Sequence, residues 1–586
     1  MLVKRPFLLG AWLTCVFSAP ATAAPPDLVV HGGKIITVDE DFTVAEAFAV
    51  EGEQIVAVGS NEAMIALAGP KTRRIDLAGK TVLPGLIDSH VHPTGASMYE
   101  FDHPVPEMES IAEVLDYIGS RAEKLEPGNW ITVSQVFITR LRDQRFPTRD
   151  ELDRVAPHHP VFFRTGPDGA VNSLALEISG IDEDFEISDD GPGYLERDPK
   201  TGRLTGILRS CTRLIKSRLT SRNATPLDRR EQLRALLSDY NSVGITSIAD
   251  RNASKSAVDL YQQLKDEQTL TCRVYCYYGI NAQLPIEEVE KNIKQVTSHP
   301  AHAYDNMLWV RGVKVFLDGG MLTGSAYMRK PWGVSEIYSI NDPEYRGLLY
   351  IPHARLLRMA RTALENGLQF TAHSVGDGAV HALLEVYEEI NKEFPVRETR
   401  PCITHCNFMS PEAIKLMRTL GVVADLQPAW LWLDGKTLTK QFGNDRLSYF
   451  QPYRSLLDGG VIAGGGSDHM QKIGSLRSVN PYNPFLGMWI MLARTPRGET
   501  APLHPEQKIT RAEAIRMYTA HNAYLTFEEQ TKGSLEVGKL ADFIVLGKDI
   551  LECPVDEIKD IQVEQTWVGG RNVYQMQSRP LQERGK

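Results

Sequence analysis

A chain of 586 residues is too long for one simple core; by length it holds about three to four domain equivalents, or equally one barrel of about 250 residues or more with an added domain. Its 42% hydrophobic and 24% charged residues are those of an ordinary globular protein and exclude a disordered chain. The net charge of −10 is mild and no basic stripe interleaved with aromatics is present, so nucleic acid is excluded as an expected partner.

The first residues read as a separate unit. Lys4 and Arg5 precede an apolar segment from Phe7 to Phe17, and small residues Ala19 to Ala24 follow, which is the order of a secretory signal with its cleavage site. The apolar segment is too short to span a bilayer comfortably. We therefore expect residues 1–24 to be a signal peptide, the mature chain to start near Ala24 or Pro25, and the product to be exported, periplasmic or secreted. Cys15 follows Leu13-Thr14, a poor lipoprotein signal, and no later stretch is apolar enough for a membrane helix, so no stable membrane association is expected. Of the six other cysteines, Cys272 with Cys276 and Cys402 with Cys406 are spaced too widely for a zinc ribbon; they read as small buried residues rather than a disulfide scaffold.

From Asp27 to Leu83 short apolar runs alternate with Gly-rich turns, the pattern of a small β-domain. The C-terminus repeats it at Asp542 to Leu546, Val563 to Val568 and Asn572 to Tyr574. Two strand-rich ends around a long middle predict one composite β-sandwich built from residues 25–83 and 525–586. The middle, 84–524, has an insertion-like stretch at about 95–225. Beyond it, strand candidates at Thr246–Asp250, Cys272–Tyr278, Val310–Leu317, Leu368–Ala372, Cys402–Thr404, Val422–Leu426 and Val461–Gly464 alternate with helical stretches such as Ile286–Thr297 and Val380–Phe394. Strand–helix alternation predicts an α/β fold, a parallel (β/α)8 barrel of the TIM type, whose chemistry sits at the carboxyl ends of its strands.

Polar residues stand at those ends. Val82 to Pro93 is an apolar run that closes on Asp88, His90 and His92; side chains two apart on a strand share a face, so the two histidines can converge on a metal. Alone, such a pair occurs by chance in many chains. Lys314, His373, His405 and Asp468 close later strands, however, and bring a histidine, lysine or aspartate to five strand exits. Each has a structural alternative: an ion pair of Lys314 with Asp318, a turn cap, a core histidine, an N-cap. Their joint placement is hard to obtain from structural needs and points to a metal site.

Pro84 to His92, Gly312 to Gly319, Ala372 to Asp377, Thr404-His405, Gly466-Ser-Asp468 and Lys532 to Leu546 together resemble the amidohydrolase superfamily, within it the YtcJ-like branch, amidohydrolase family 3, over essentially the whole mature chain. The resemblance implies a divalent metal, usually zinc, as one or two ions held by His90, His92, Lys314, His373, His405 and Asp468, with Lys314 carbamylated where it bridges two ions. It implies hydrolysis of an amide or related C–N bond of a small molecule by metal-activated water, with Asp468 as base and His373 and His405 as ligands or oxyanion support. The chain departs from the pattern at Pro167, where many members carry a histidine, and at His469, where relatives carry a small residue. His469, Asp318 and Trp430 are candidates for substrate contact, and Trp432, Tyr482, Phe485 and Trp489 for the wall of an apolar pocket. Two other readings stay open: an exported metal-binding or regulatory protein without turnover, and a hydrolase of esters, lactones or cyclic imides. Nothing in the sequence sets the oligomeric state, which leaves a homo-oligomer open.

Overall fold

A computed structural model describes residues 24–189, 191–218 and 223–577; the expected signal segment, apart from Ala24, lies outside the described residues. Eight parallel strands, here β1 (Leu86–Val91), β2 (Ile245–Ala253), β3 (Arg273–Gly279), β4 (Leu308–Phe316), β5 (Gln369–Ser374), β6 (Cys402–His405), β7 (Val423–Leu426) and β8 (Ala463–Gly465), pair in sequence order. Every residue of β1, β6, β7 and β8 is buried, because helices cover the sheet outside and side chains fill it inside. The expected barrel is therefore present.

Its helices start where capping chemistry allows. Thr225 and Asp228 form a reciprocal capping box on the helix Pro226–Ser242, and Ser410 caps Pro411–Leu420, which Gly421 ends in the left-handed region at φ 72°. The helix expected from Val380 spans Asp377–Asn391, three residues earlier than the sequence suggests. Gly376-Asp-Gly378 reads as a turn, yet Asp377 is well placed in a first helical turn, where its charge meets the positive end of the helix dipole.

The barrel seam closes beyond the regular strands. The Asp468 N–H donates to the His90 carbonyl and the His92 N–H to the His469 carbonyl, both at 2.8 Å. The Asn522 amide bridges the same seam deeper down, donating to the Ile87 carbonyl at 2.6 Å and the Gly465 carbonyl at 2.8 Å. Gly466 permits this approach: a Cβ there would stand 2.8 Å from the His90 nitrogen.

Two further layers flank the barrel. A four-stranded sheet from residues 28–76 faces a six-stranded sheet in which Phe543–Leu546 lies between Val563–Val568 and Thr81–Pro84, so both termini build one sandwich. Phe48, Phe543 and Trp567 fill its core, the first two edge-to-face at 5.0 Å. Between β1 and β2 a five-stranded sheet runs through Ile131–Ser134, Val161–Thr165, Asp168–Val171, Tyr194–Arg197 and Leu204–Arg209. All six described cysteines are free thiols, five of them buried. Among the described residues no helix is long and apolar enough to cross a membrane.

Candidate metal centre

The barrel mouth gathers the six strand-end residues. His90 Nε2 lies 3.3 Å from His92 Nε2, and the two are 3.3 and 3.2 Å from Asp468 Oδ1. Lys314 Nζ is 3.4 Å from His90 Nε2. His405 Nε2 is 2.9 Å from His373 Nδ1, and the His405 ring stacks on His90 at 5.0 Å. Two of the six hold uncommon backbone geometry: His405 has φ 86° and Asp468 φ 55°, conformations that cost a non-glycine residue about 1–3 kcal/mol and persist where surrounding bonds impose them. At Asp468 those bonds are the seam contact to His90 and the Asn480 amide donating to its carbonyl at 2.8 Å.

The arrangement behind these residues decides what they offer. Asp425, fully buried on β7, stands 2.9 Å from His90 Nδ1 and accepts its N–H, which leaves Nε2 with a lone pair aimed at the mouth. Gln427 Oε1 does the same for His405 Nδ1 at 2.7 Å. Its amide nitrogen donates to Asp425 at 3.1 Å, so the two supports are joined. His373 Nε2 faces the Gly319 carbonyl at 3.4 Å; with its N–H directed there, Nδ1 becomes a further donor beside His405 Nε2.

Burial holds His90 and His405 far below the ordinary histidine value and His373 at about 3, so these rings stay neutral. The Nε2 lone pair of His90 thus faces a carboxylate oxygen with no proton between them. His90, His92 and Asp468 present three ligand atoms within 4.8 Å of one another. Two imidazoles with a carboxylate, their ligand atoms this close together, are a donor set that suits zinc. Lys314 is fully buried, and desolvation lowers its amine to about 8 against the attraction of Asp468 and Asp425. The shift toward the neutral amine favours the form that carbamylation requires.

His92, Lys314, His373, His405 and Asp468 open into a cavity of about 510 Å³. Its walls come from the barrel mouth, from the insertion at Gln135 to Pro167 and Thr212, and from the segment between β4 and the next helix at Gly320 to Tyr350. Pro167 is on this wall. Trp430 is too, stacked on His405 at 4.8 Å. Asp318 also lines the cavity, but its buried carboxyl, pushed up to about 8 by desolvation, accepts the backbone N–H groups of Tyr327, Val375 and Gly376 at 2.9–3.0 Å and so organises the mouth. His469 is not on the wall. It lies behind the site, its Nδ1 accepting from the Tyr240 hydroxyl at 2.7 Å and its Nε2 donating to the Gln471 and Lys472 carbonyls. Tyr482 and Phe485 are core residues, Trp432 lies under Arg497, and Trp489 donates to Asp556; none of the four reaches the cavity.

Sequence reasoning assigned no role to Asp425, Gln427 or Arg251. Arg251, fully buried, donates to the Ser89 carbonyl at 2.7 Å and lies 3.5 Å from Asp425. Asp88 stands in the Val82 to Pro93 run; its carboxyl, raised to about 7 by burial, accepts the His90 and Ser467 N–H groups at 3.0 Å each and ties β1 to the turn after β8. The signal was a charged residue inside an apolar strand run, as in Val422 to Leu426, since a fully buried charge requires a partner.

A model of the amidohydrolase family matches residues 73–574, which include all eight barrel strands and every residue of the site. The chain belongs to the amidohydrolase family, and within it to the YtcJ-like amidohydrolase family 3. It is accordingly a hydrolase of carbon–nitrogen bonds. The chain is 28% identical over 555 residues to the N-substituted formamide deformylase of Arthrobacter pascens, a match covering 93% of this amidohydrolase and 97% of that enzyme. It is 25% identical to the putative amidohydrolase YtcJ of Bacillus subtilis strain 168, over 93% and 99% of the two chains. Among solved structures, an uncharacterized metal-dependent hydrolase from Pyrococcus horikoshii shares the fold, with a TM-score of 0.65 and 21% identity over 90% of this chain and 99% of that one.

Proposed function

We propose that this amidohydrolase is a zinc enzyme that hydrolyses the amide bond of a small N-acyl compound after export. The observation that carries the reading is the convergence of His90, His92 and Asp468 on one point, with the His90 Nε2 lone pair aimed there by buried Asp425. His90, His92, His373, His405 and Asp468, with Lys314 as its carbamate, would hold the one or two cations. A divalent cation bound there supplies Lewis acidity, acidifying water and polarising a carbonyl.

The chain's own residues supply the rest. Asp468, at the floor of the cavity, takes the proton of the attacking water as its oxygen bonds to the carbonyl carbon, and returns that proton to the nitrogen as the C–N bond breaks. One acid and one amine leave. Trp430, stacked on His405, and the insertion shield the site from bulk water. The formamide activity named for the Arthrobacter relative supports beginning with small N-formyl amides.

Metal content measured alongside turnover of N-formyl, N-acyl and cyclic amides, with and without chelator, tests the reading. Chelator-sensitive release of amine with about one or two zinc ions per chain is expected, and turnover indifferent to chelation would refute the metal role. Asp468→Asn with full metal and undiminished turnover would refute the base role. Export rests on the Lys4 to Ala24 pattern, and a secreted product that retains its first 20 residues would refute it.

A further inference from the structure

The insertion places one cation in the catalytic cavity without giving it a counter-charge. Arg164 is in the strand Val161–Thr165, and it lines the cavity together with Thr165, Gly166 and Pro167. Arg164 is an exposed residue, and among the described residues its guanidinium has no hydrogen-bond or ion-pair partner. Arg154 and Arg203 of the insertion are likewise without an ion pair among the described residues, but they are exposed and do not line the cavity; five other arginines of this region are paired. Arg140, Arg145, Arg149, Arg209 and Arg213 meet the carboxylates of Asp434, Glu151, Glu183, Glu196 and Asp189, respectively, at 2.7–3.3 Å.

The cavity's two carboxyl groups are committed elsewhere: Asp318 to three backbone N–H groups, Asp468 to the histidines. The remaining wall includes Phe137, Met321, Leu322 and Met470. A planar guanidinium beside such an apolar surface is suited to a carboxylate, which it can bind through two parallel N–H groups.

We propose that Arg164 selects a substrate whose amide is joined to a carboxylate and an apolar group, the carboxylate pairing with the guanidinium while the amide lies at the barrel mouth. This rests on the hydrolase reading above, and the test separates the two. N-formylphenylalanine and its neutral N-methylamide are matched probes. Calorimetric titration of each into the full-length, metal-loaded protein measures binding, while release of formate is followed separately. A charge-assisted pair predicts that the carboxylate probe binds roughly tenfold to a hundredfold more tightly than the methylamide. Arg164→Gln is expected to abolish that preference, and Arg164→Lys, which keeps the charge but not the fork, to retain part of it.

Equal affinity for the two probes in the wild-type protein would overturn the proposal. So would no binding of either at millimolar concentration, or a loss in Arg164→Gln that is equal for both, which would reflect damage to the cavity wall. Formate release without a preference would sink the role of Arg164 and leave the hydrolase. A preference without hydrolysis of any N-formyl, N-acyl or cyclic amide would sink the hydrolase reading and leave an anion-selecting cavity.

Discussion

Replacing Asp425 with asparagine keeps the shape of a fully buried side chain and changes what it can accept. In the native protein Oδ2 accepts the His90 Nδ1–H at 2.9 Å, while Oδ1 accepts the Ser89 hydroxyl at 2.7 Å and the Gln427 amide at 3.1 Å. An asparagine must turn its NH2 toward one of these sets. Facing His90, it opposes two donors and favours the other tautomer, which places a proton on Nε2 where the lone pair was needed. Facing Ser89 and Gln427, it breaks the bonds that fix the carboxylate. Arg251 loses its anion in either case. One mispaired buried group costs about 1–3 kcal/mol of stability, and loss of the partner behind a metal-bound histidine typically lowers metal affinity by about 10- to 100-fold. Competition with a chromophoric chelator measures that affinity directly, independently of turnover. Asp434→Asn is the control: Asp434 is equally buried and bound to Arg140 and Thr139, away from the cavity, so it should lower stability without weakening metal binding. Unchanged zinc affinity in Asp425→Asn, or the same loss in both variants, would refute the reasoning.

Gly466→Ala should loosen the seam beside the centre, since the added methyl meets Ser89 Oγ at 2.7 Å and the His90 nitrogen at 2.8 Å; a loss of roughly 1–3 kcal/mol in unfolding, with weaker zinc binding, is expected. Asp168 accepts the Ser210 N–H at 2.7 Å and the Ser325 hydroxyl at 2.6 Å, as well as the Thr323 hydroxyl, and so joins the insertion to the wall after β4. Asp168→Ala leaves those donors unpaired, and proteolysis should show the insertion opening before the barrel. The Arg145 side chain holds the Glu151 carboxyl at about 2, below its ordinary 4.5. This pair's stabilisation is complete above about pH 4.5 and is lost as pH falls toward 2, so Glu151→Gln should flatten the acid limb of the melting curve by about 1 kcal/mol after allowance for solvent screening. Because all described cysteines are free, dithiothreitol should leave the melting temperature unchanged; a fall of several degrees would reveal a disulfide.

The barrel could be read in advance because its signals are local. Apolar runs such as Cys272–Tyr278 and Val310–Leu317, punctuated by amphipathic helices, specify strand–helix alternation through periodicity alone, and the observed strands begin within a few residues of those runs. The six strand-end residues were legible for the same reason, since a strand's exit is defined by where its apolar run stops. The insertion was not: its strands are short and interrupted by turns at Gly166 and Gly202, and nothing local says which of them pair. The aromatic candidates failed to sort for a related reason. Trp430 reaches the cavity and Trp432 does not, although both lie on the helix Ala429–Phe442, because two residues along a helix turn a side chain to another face.

Sequence alone thus determined the architecture, the family and the residues that face the barrel mouth. Tertiary structure decided what those residues can do. His90 is aimed by Asp425, 335 positions away, and the seam that pairs Asp468 with His90 joins segments 378 residues apart. It also left Arg164, on the cavity wall, without an ion pair among the described residues, while Arg145 and Arg149 of the same insertion found carboxylates. Periodicity reports a side chain's face within its own element; which distant group it meets, and whether its charge is answered, depends on how the elements pack.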